Sequence, residues 1–131
     1  MLRSIRSASI VAAILFLVAQ PARSDGEGCT DAVKRYAILA SDAVDPDVFV
    51  WDRRMILIRY SSGVWMAPYR ILRHTLLEKP GTRALVISCM PYAVRSRFSG
   101  TVQNAVGIRI LNGEDRGRYG WVVEEDVHYY R

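Results

Sequence analysis

Apolar positions follow three different patterns along this chain. Near the start, residues 10–19 run without a break through Ile, Val, Ala, Leu and Phe, behind Arg3 and Arg6. Between residues 30 and 43, Val33, Tyr36, Ala37 and Ala40 recur at helical spacing. That spacing predicts a helix capped by Thr30 or Asp31 and stopped before Pro46. From residue 48 onward, short β-branched and aromatic runs alternate with turn signals, which predicts strands. Residues 48–51 and 55–60 read as strands around a turn or bulge at Asp52-Arg53-Arg54, and residues 64–66 as the start of a returning strand after Ser61-Ser62-Gly63. Residues 71–77 fit a helix or a strand. Pro80 and Gly81 occupy the central positions of a type II turn, which feeds a strand at 84–89. A polar loop at 95–104 and a strand at 105–111 follow, then an Asn112-Gly113 hairpin signal and a partner strand at 119–123.

A bilayer-spanning helix needs about 20 apolar residues, more than the first run provides. With arginines before it and small residues at Ala22 and Ser24 behind it, the run reads as a secretory signal peptide, residues 1–24, cut before Asp25. Residues 25–131 are then a single domain with one core. Loss of Arg3, Arg6 and Arg23, with no acid in the segment, lowers the formal charge from +5 to about +2. The basic balance therefore gives little support to a nucleic-acid partner, and none is expected. Nor is a stable membrane anchor expected after cleavage. The implied location is periplasmic or secreted.

The chain has two cysteines, Cys29 and Cys89. In an oxidising compartment an even pair is most simply a disulfide. Gly26-Glu27-Gly28 lacks the apolar lead that a lipid-attachment cysteine would have. Closing a loop of about sixty residues contributes roughly 4 kcal/mol in the chain-entropy model.

His74 and His128 stand in no metal-ligand spacing with each other or with the cysteines. The common hydrolase signatures do not occur, and the cluster Gly113, Gly117, Gly120 lacks the Gly-Lys-Ser/Thr ending of a phosphate loop. Asp42, Asp45, Asp47 and Asp52 lack the spacing of a calcium loop and read as a solvated linker. Glu124-Glu125-Asp126 could pass for paired catalytic carboxylates. No enzyme activity, cofactor or metal is expected. Arg53, Arg54, Arg59, Tyr60, Trp65, Tyr69, Arg70 and Arg73 interleave basic and aromatic residues. They form either the outer face of a sheet or a patch for an anionic polymer or a peptide, with Trp65 and Tyr69 as its ring contacts.

Over residues 81–131, Val106-Gly107-Ile108-Arg109-Ile110-Leu111-Asn112-Gly113, Gly117-Arg118-Tyr119-Gly120-Trp121-Val122 and Asp126-Val127 follow one another. This order resembles a bacterial Src-homology-3-like (SH3-like) domain, in which a strand leads into a glycine-bearing hairpin and a Gly-Trp-Val strand returns. The resemblance implies a mainly β chain, a small SH3-like barrel with an N-terminal helix. In it Gly120 permits a tight bend or close backbone approach, Trp121 covers one barrel face, Val122 enters the core and Glu124-Glu125-Asp126 is the short polar turn before the last strand. Such domains bind extended or cell-wall peptides in aromatic grooves, which adds Tyr119, Trp121 and Tyr129 to the ligand-binding candidates. The predicted N-terminal helix, the segment 48–66 and the long loop 90–104 depart from a minimal domain of this kind. The expected function is an exported, non-catalytic binding module for a protein, peptide or cell-envelope polymer. The alternative is a secreted inhibitor or immunity-type protein that blocks an enzyme through loop 95–104.

Overall fold

The computed structural model describes residues 29–43 and 45–130. The expected signal peptide, residues 1–24, lies outside them. A 3-10 turn at Thr30–Ala32 opens the described chain. It leads to β1 (Tyr36–Leu39), β2 (Val48–Trp51), α1 (Arg54–Ser61), α2 (Pro68–His74) and β3 (Thr75–Glu78). Next come β4 (Thr82–Arg95), β5 (Val102–Ile110) and β6 (Tyr119–Val123), a 3-10 turn at Glu124–Asp126, and β7 (Val127–Tyr129). The fold is mainly β. One seven-stranded sheet, ordered β3-β2-β6-β5-β4-β1-β7, curls into a half-barrel. All its strand pairs are antiparallel.

Strand alternation sends side chains to two apolar layers. Val48, Val50, Val86, Val106, Ile108, Ile110 and Val122 join Ala37 and Leu39 on the inner face of the curl. Phe49, Trp51, Ala105, Trp121 and Val123 point the other way, where α1 covers them with Ile56 and Leu57. Gly120 sits where β2 meets β6 through the single pair Trp51↔Trp121. A Cβ there would collide with the Val50 side chain and lie 2.8 Å from the Trp51 carbonyl oxygen, so close approach requires glycine.

The expected N-terminal helix is replaced by the 3-10 turn and β1. Cys29 is tied to Cys89 of β4 by a disulfide with a Cα–Cα distance of 5.6 Å. Lys34, at φ 73, then turns the chain. The Lys34 amide donates to the Val86 carbonyl at 2.7 Å, and the Val86 amide donates to the Arg35 carbonyl at 2.9 Å. Flanked by β4 and β7, Tyr36–Leu39 gains ladder bonds on both sides, and tertiary pairing overrides a weak helical preference.

Residues 55–60 are helical, not extended. Ile56, Leu57, Tyr60 and Ser61 fall on one face at helical spacing and meet the sheet, while both edges of β2 are already taken by β3 and β6. Residues 64–66 form no strand but the tip between the helices. The ambiguous run 71–77 is split, helix to His74 and strand from Thr75. The Lys79–Thr82 turn has Gly81 at φ 91 and the Thr82 amide donating to the Lys79 carbonyl at 3.2 Å, as the type II reading requires. The loop expected at 95–104 is narrower, because β4 and β5 extend into it as a long hairpin.

Candidate functional site

The helix-covered face of the sheet holds a cleft of about 430 Å³, within the range of ligand pockets. Its floor is Phe49 and Trp51 of β2, Leu57 and Tyr60 of α1, and Val123 of β6. Because Val48 and Val50 are committed to the inner core, Phe49 and Trp51 must face the helix side. The rings pack edge to face: Phe49 and Trp51 lie 6.2 Å apart and Phe49 and Tyr60 6.4 Å, while Trp51 and Tyr60 tilt together at 4.8 Å. Trp51 is only 2% exposed. Phe49 and Tyr60 stay half-buried and present ring surface to the cleft.

Two loops that meet at the β1–β7 edge bring acids to the rim. Asp45 and Asp47 come from the loop after β1, and Glu125 and Asp126 from the turn before β7. The Ala40 amide donates to the Asp126 carbonyl at 3.0 Å, and the Ser41 amide to the Pro46 carbonyl at 3.4 Å, which holds both loops at the same end of the sheet. Burial pushes the Asp126 carboxyl from 3.8 up to about 6. The Glu125 carboxylate and Asp42 push the same way, while a hydrogen bond from Ser41 and the His128 ring oppose them.

The tip of the β4–β5 hairpin overhangs the cleft. Ser96, itself buried, accepts the amides of Phe98 and Ser99 at 3.1 and 2.9 Å and donates its hydroxyl to Glu125. Arg95 Nη1 donates to the Gly100 carbonyl at 2.6 Å. Arg97 Nε donates to the Tyr60 carbonyl at 2.8 Å, and its guanidinium lies 3.8 Å from the centre of the Tyr60 ring. The tip is thus fastened to both α1 and the acidic turn, and it carries Phe98, 65% exposed, at the mouth of the cleft.

Deeper along the hairpin, the buried Asn104 fills a bulge. Its Oδ1 accepts the Tyr92 amide at 3.1 Å, and its Nδ2 donates to Glu124 Oε1 at 3.0 Å. Chemically, the cleft offers apolar ring surface beside carboxylates, an arrangement that suits a cation attached to an apolar group. Among the described residues, no three His, Cys, Asp or Glu side chains are grouped as metal ligands.

The chain matches no family model, no curated protein and no solved structure. The site therefore has to be read from its own geometry.

None of the five ring residues expected to bind ligand lines this cleft, and the fold does not gather them in one place. Trp65, 81% exposed, stands on the tip between α1 and α2, and Tyr69, 74% exposed, on α2. Tyr119 is exposed at the start of β6, 5.8 Å from the Arg109 guanidinium. Trp121 lies half-buried against the helix layer, with the Arg54 guanidinium 5.4 Å from its ring. Tyr129 donates its hydroxyl to Glu124 Oε2 at 3.1 Å and has the Arg35 guanidinium 4.7 Å from its ring. Burial and the Glu124 carboxylate raise the Tyr129 phenol well above its ordinary range.

Tyr60 stood out in the sequence only as part of the basic and aromatic run, and Phe49, Trp51 and Phe98 were legible only indirectly. A strand with large apolar residues on both faces implies a covering layer, and a lone phenylalanine in a polar loop implies a contact.

Proposed function

We propose that this chain is an exported, non-catalytic binding module whose cleft takes an extended peptide carrying a basic side chain next to an apolar one. The observation that carries this reading is the half-buried rings of Phe49 and Tyr60, the latter with Arg97 over it, lining the cleft beside the carboxylates of Asp45, Asp47 and Asp126. The apolar part of such a ligand gains contact on rings whose own entropy is already spent. Its cation meets the exposed Asp45 and Asp47 and, partly withdrawn from water, Asp126, where charge pairing is stronger than at an open surface. The Cys29–Cys89 disulfide accords with an oxidising compartment, and no described helix is long and apolar enough to cross a membrane. His74 bonds Asp52 at 3.0 Å and His128 bonds the Ala40 carbonyl at 3.0 Å, and neither lines the cleft. The resemblance to SH3-like domains favours the same kind of ligand, although here the rings come from β2 and α1.

The test is isothermal titration with short peptides that differ only in replacing Lys by Glu beside a Leu or Phe. The Lys peptides should bind, and Tyr60→Ala and Asp126→Asn should each weaken them about tenfold. Equal binding of both peptide series, equal affinity of the variants, or cleavage of the peptide would each reject the proposal. A second reading has one specific support, the braced hairpin tip with Phe98 exposed, which has the form of an inhibitory loop. Under that reading Phe98→Ala abolishes capture of a target enzyme, whereas Asp47→Asn on the cleft rim leaves that capture unchanged.

A further inference from the structure

The segment that carries α1 and α2 has an exposed surface of opposite character. From Arg53 to Arg73 the chain carries Arg53, Arg54, Arg59, Arg70 and Arg73 and no acid. In the same stretch Met55, Val64, Trp65, Tyr69 and Leu72 are each more than half exposed. Their exposure has a structural origin. α2 fully buries none of its residues: Ile71 packs partly against the core while Tyr69 and Leu72 are left in water, and Ser62, Gly63, Val64 and Trp65 form an exposed tip. A soluble chain seldom leaves so concentrated an apolar surface without a use for it.

We infer that this helical layer docks reversibly on the surface of an anionic lipid bilayer, with Trp65 and Tyr69 entering the interfacial zone. Trp and Tyr favour that depth because each pairs a large apolar body with a polar edge. Leu72, Val64 and Met55 supply the aliphatic area that a short amphipathic helix lays into the headgroup boundary. Arginine stems reach outward along the apolar surface to place guanidinium groups among lipid phosphates. Charge complementarity selects an anionic surface. The aliphatic side chains select a bilayer over a soluble polyanion, which has nothing apolar to cover them. The inference does not depend on the reading of the cleft.

Vesicles of brominated phosphatidylcholine, with and without phosphatidylglycerol, test this directly. Bromine quenches tryptophan that enters the acyl boundary. Of the three tryptophans in the chain, Trp51 is buried, Trp121 is half-buried under Arg54 and Trp65 is exposed. Wild type and variants share the same N-terminal segment, so any lipid affinity of residues 10–19 is common to all. The expected result is flotation and quenching with phosphatidylglycerol only, both reversed by salt. Trp65→Phe should float as before but lose the quenched component. Replacing Arg59, Arg70 and Arg73 together by Gln should weaken binding on the order of 100-fold. Quenching that survives Trp65→Phe, or equal binding without phosphatidylglycerol, would overturn the inference. So would arginine-dependent binding to heparin in the absence of any vesicle binding.

Discussion

The cleft and the helical layer use the same residue types to opposite ends. In the cleft Phe49, Trp51 and Tyr60 lie against one another, so the rings are mainly architecture and offer a ligand only their free faces. On the layer Trp65 and Tyr69 stand in water, and their area is available only to a partner. The charges differ as well. Asp45, Asp47, Glu125 and Asp126 edge the cleft, where Arg95 and Arg97 are held by the Gly100 and Tyr60 carbonyls, whereas five arginines and no acid occupy residues 53–73. α1 is the wall between them: Leu57, Tyr60 and Ser61 face the cleft, and helical spacing puts Met55 and Arg59 on the opposite side. Aromatic content alone does not mark a site. What a ring touches decides whether it is structure, and which charges stand beside it decides what it can receive.

The largest test of this contrast is stability. Trp51→Ala should cost about 3–5 kcal/mol, because it empties a fully enclosed ring position beneath two other aromatics. Trp65→Ala should change stability by no more than about 0.5 kcal/mol. Urea unfolding of the two variants side by side decides it, and similar losses for both would erase the distinction between the two regions. Gly120→Ala comes next, at about 1–3 kcal/mol, because the new methyl group would press on Val50 and the Trp51 carbonyl. Since that junction carries the cleft floor, the near-ultraviolet dichroism of the aromatic cluster should change as well, while Trp65 accessibility to acrylamide should not.

The sequence showed the β-rich C-terminal half well and the helix layer badly, for the same physical reason. Turns with a fixed chemical requirement were legible: Gly81 at φ 91, the Asn112-Gly113 corner with Gly113 at φ 83, and the Gly120 close approach depend on the residue itself. The segments 30–43 and 55–60 are decided by what lies beside them. Tyr36–Leu39 becomes a strand because β4 and β7 offer ladder bonds, and residues 55–60 become helix because β2 has no free edge. The cleft was hidden because its parts come from distant positions, Asp45 to Asp126, and a linker acid looks the same in sequence as a rim acid. The exposed basic and aromatic patch was visible as a composition, but its placement on helices rather than on a sheet face was not.

A smaller effect distinguishes the buried acids from the exposed arginines. Burial and a hydrogen bond with Asp115 raise the Glu78 carboxyl from 4.5 to about 7, with the Asp115 and Glu114 charges adding to the rise and Arg118 opposing it. Its Oε1 has no hydrogen-bond partner. A carboxyl raised on folding stabilises the fold while protonated, so this contribution is whole below pH 4.5 and is lost as pH climbs through about 7. Glu78→Gln should therefore flatten the decline in thermal stability between these limits and raise stability at neutral pH. A variant that keeps the wild-type slope would show that Glu78 is not its source.

The smallest predicted effect bears most directly on the two surfaces. Asp126 ionises near 6 in the folded chain against 3.8 for an ordinary aspartate, so between pH 5 and pH 7 the cleft gains a negative charge. The affinity of a Lys-containing peptide should rise across that interval, by roughly tenfold at most, and Asp126→Asn should remove the rise. Guanidinium groups stay charged throughout, so vesicle binding by the helical layer should be nearly flat with pH and steep with salt. Running both titrations on one preparation separates the surfaces by their chemistry. Peptide affinity that is flat with pH would remove Asp126 from the site, and vesicle binding that follows the Asp126 titration would mean that the two surfaces are one.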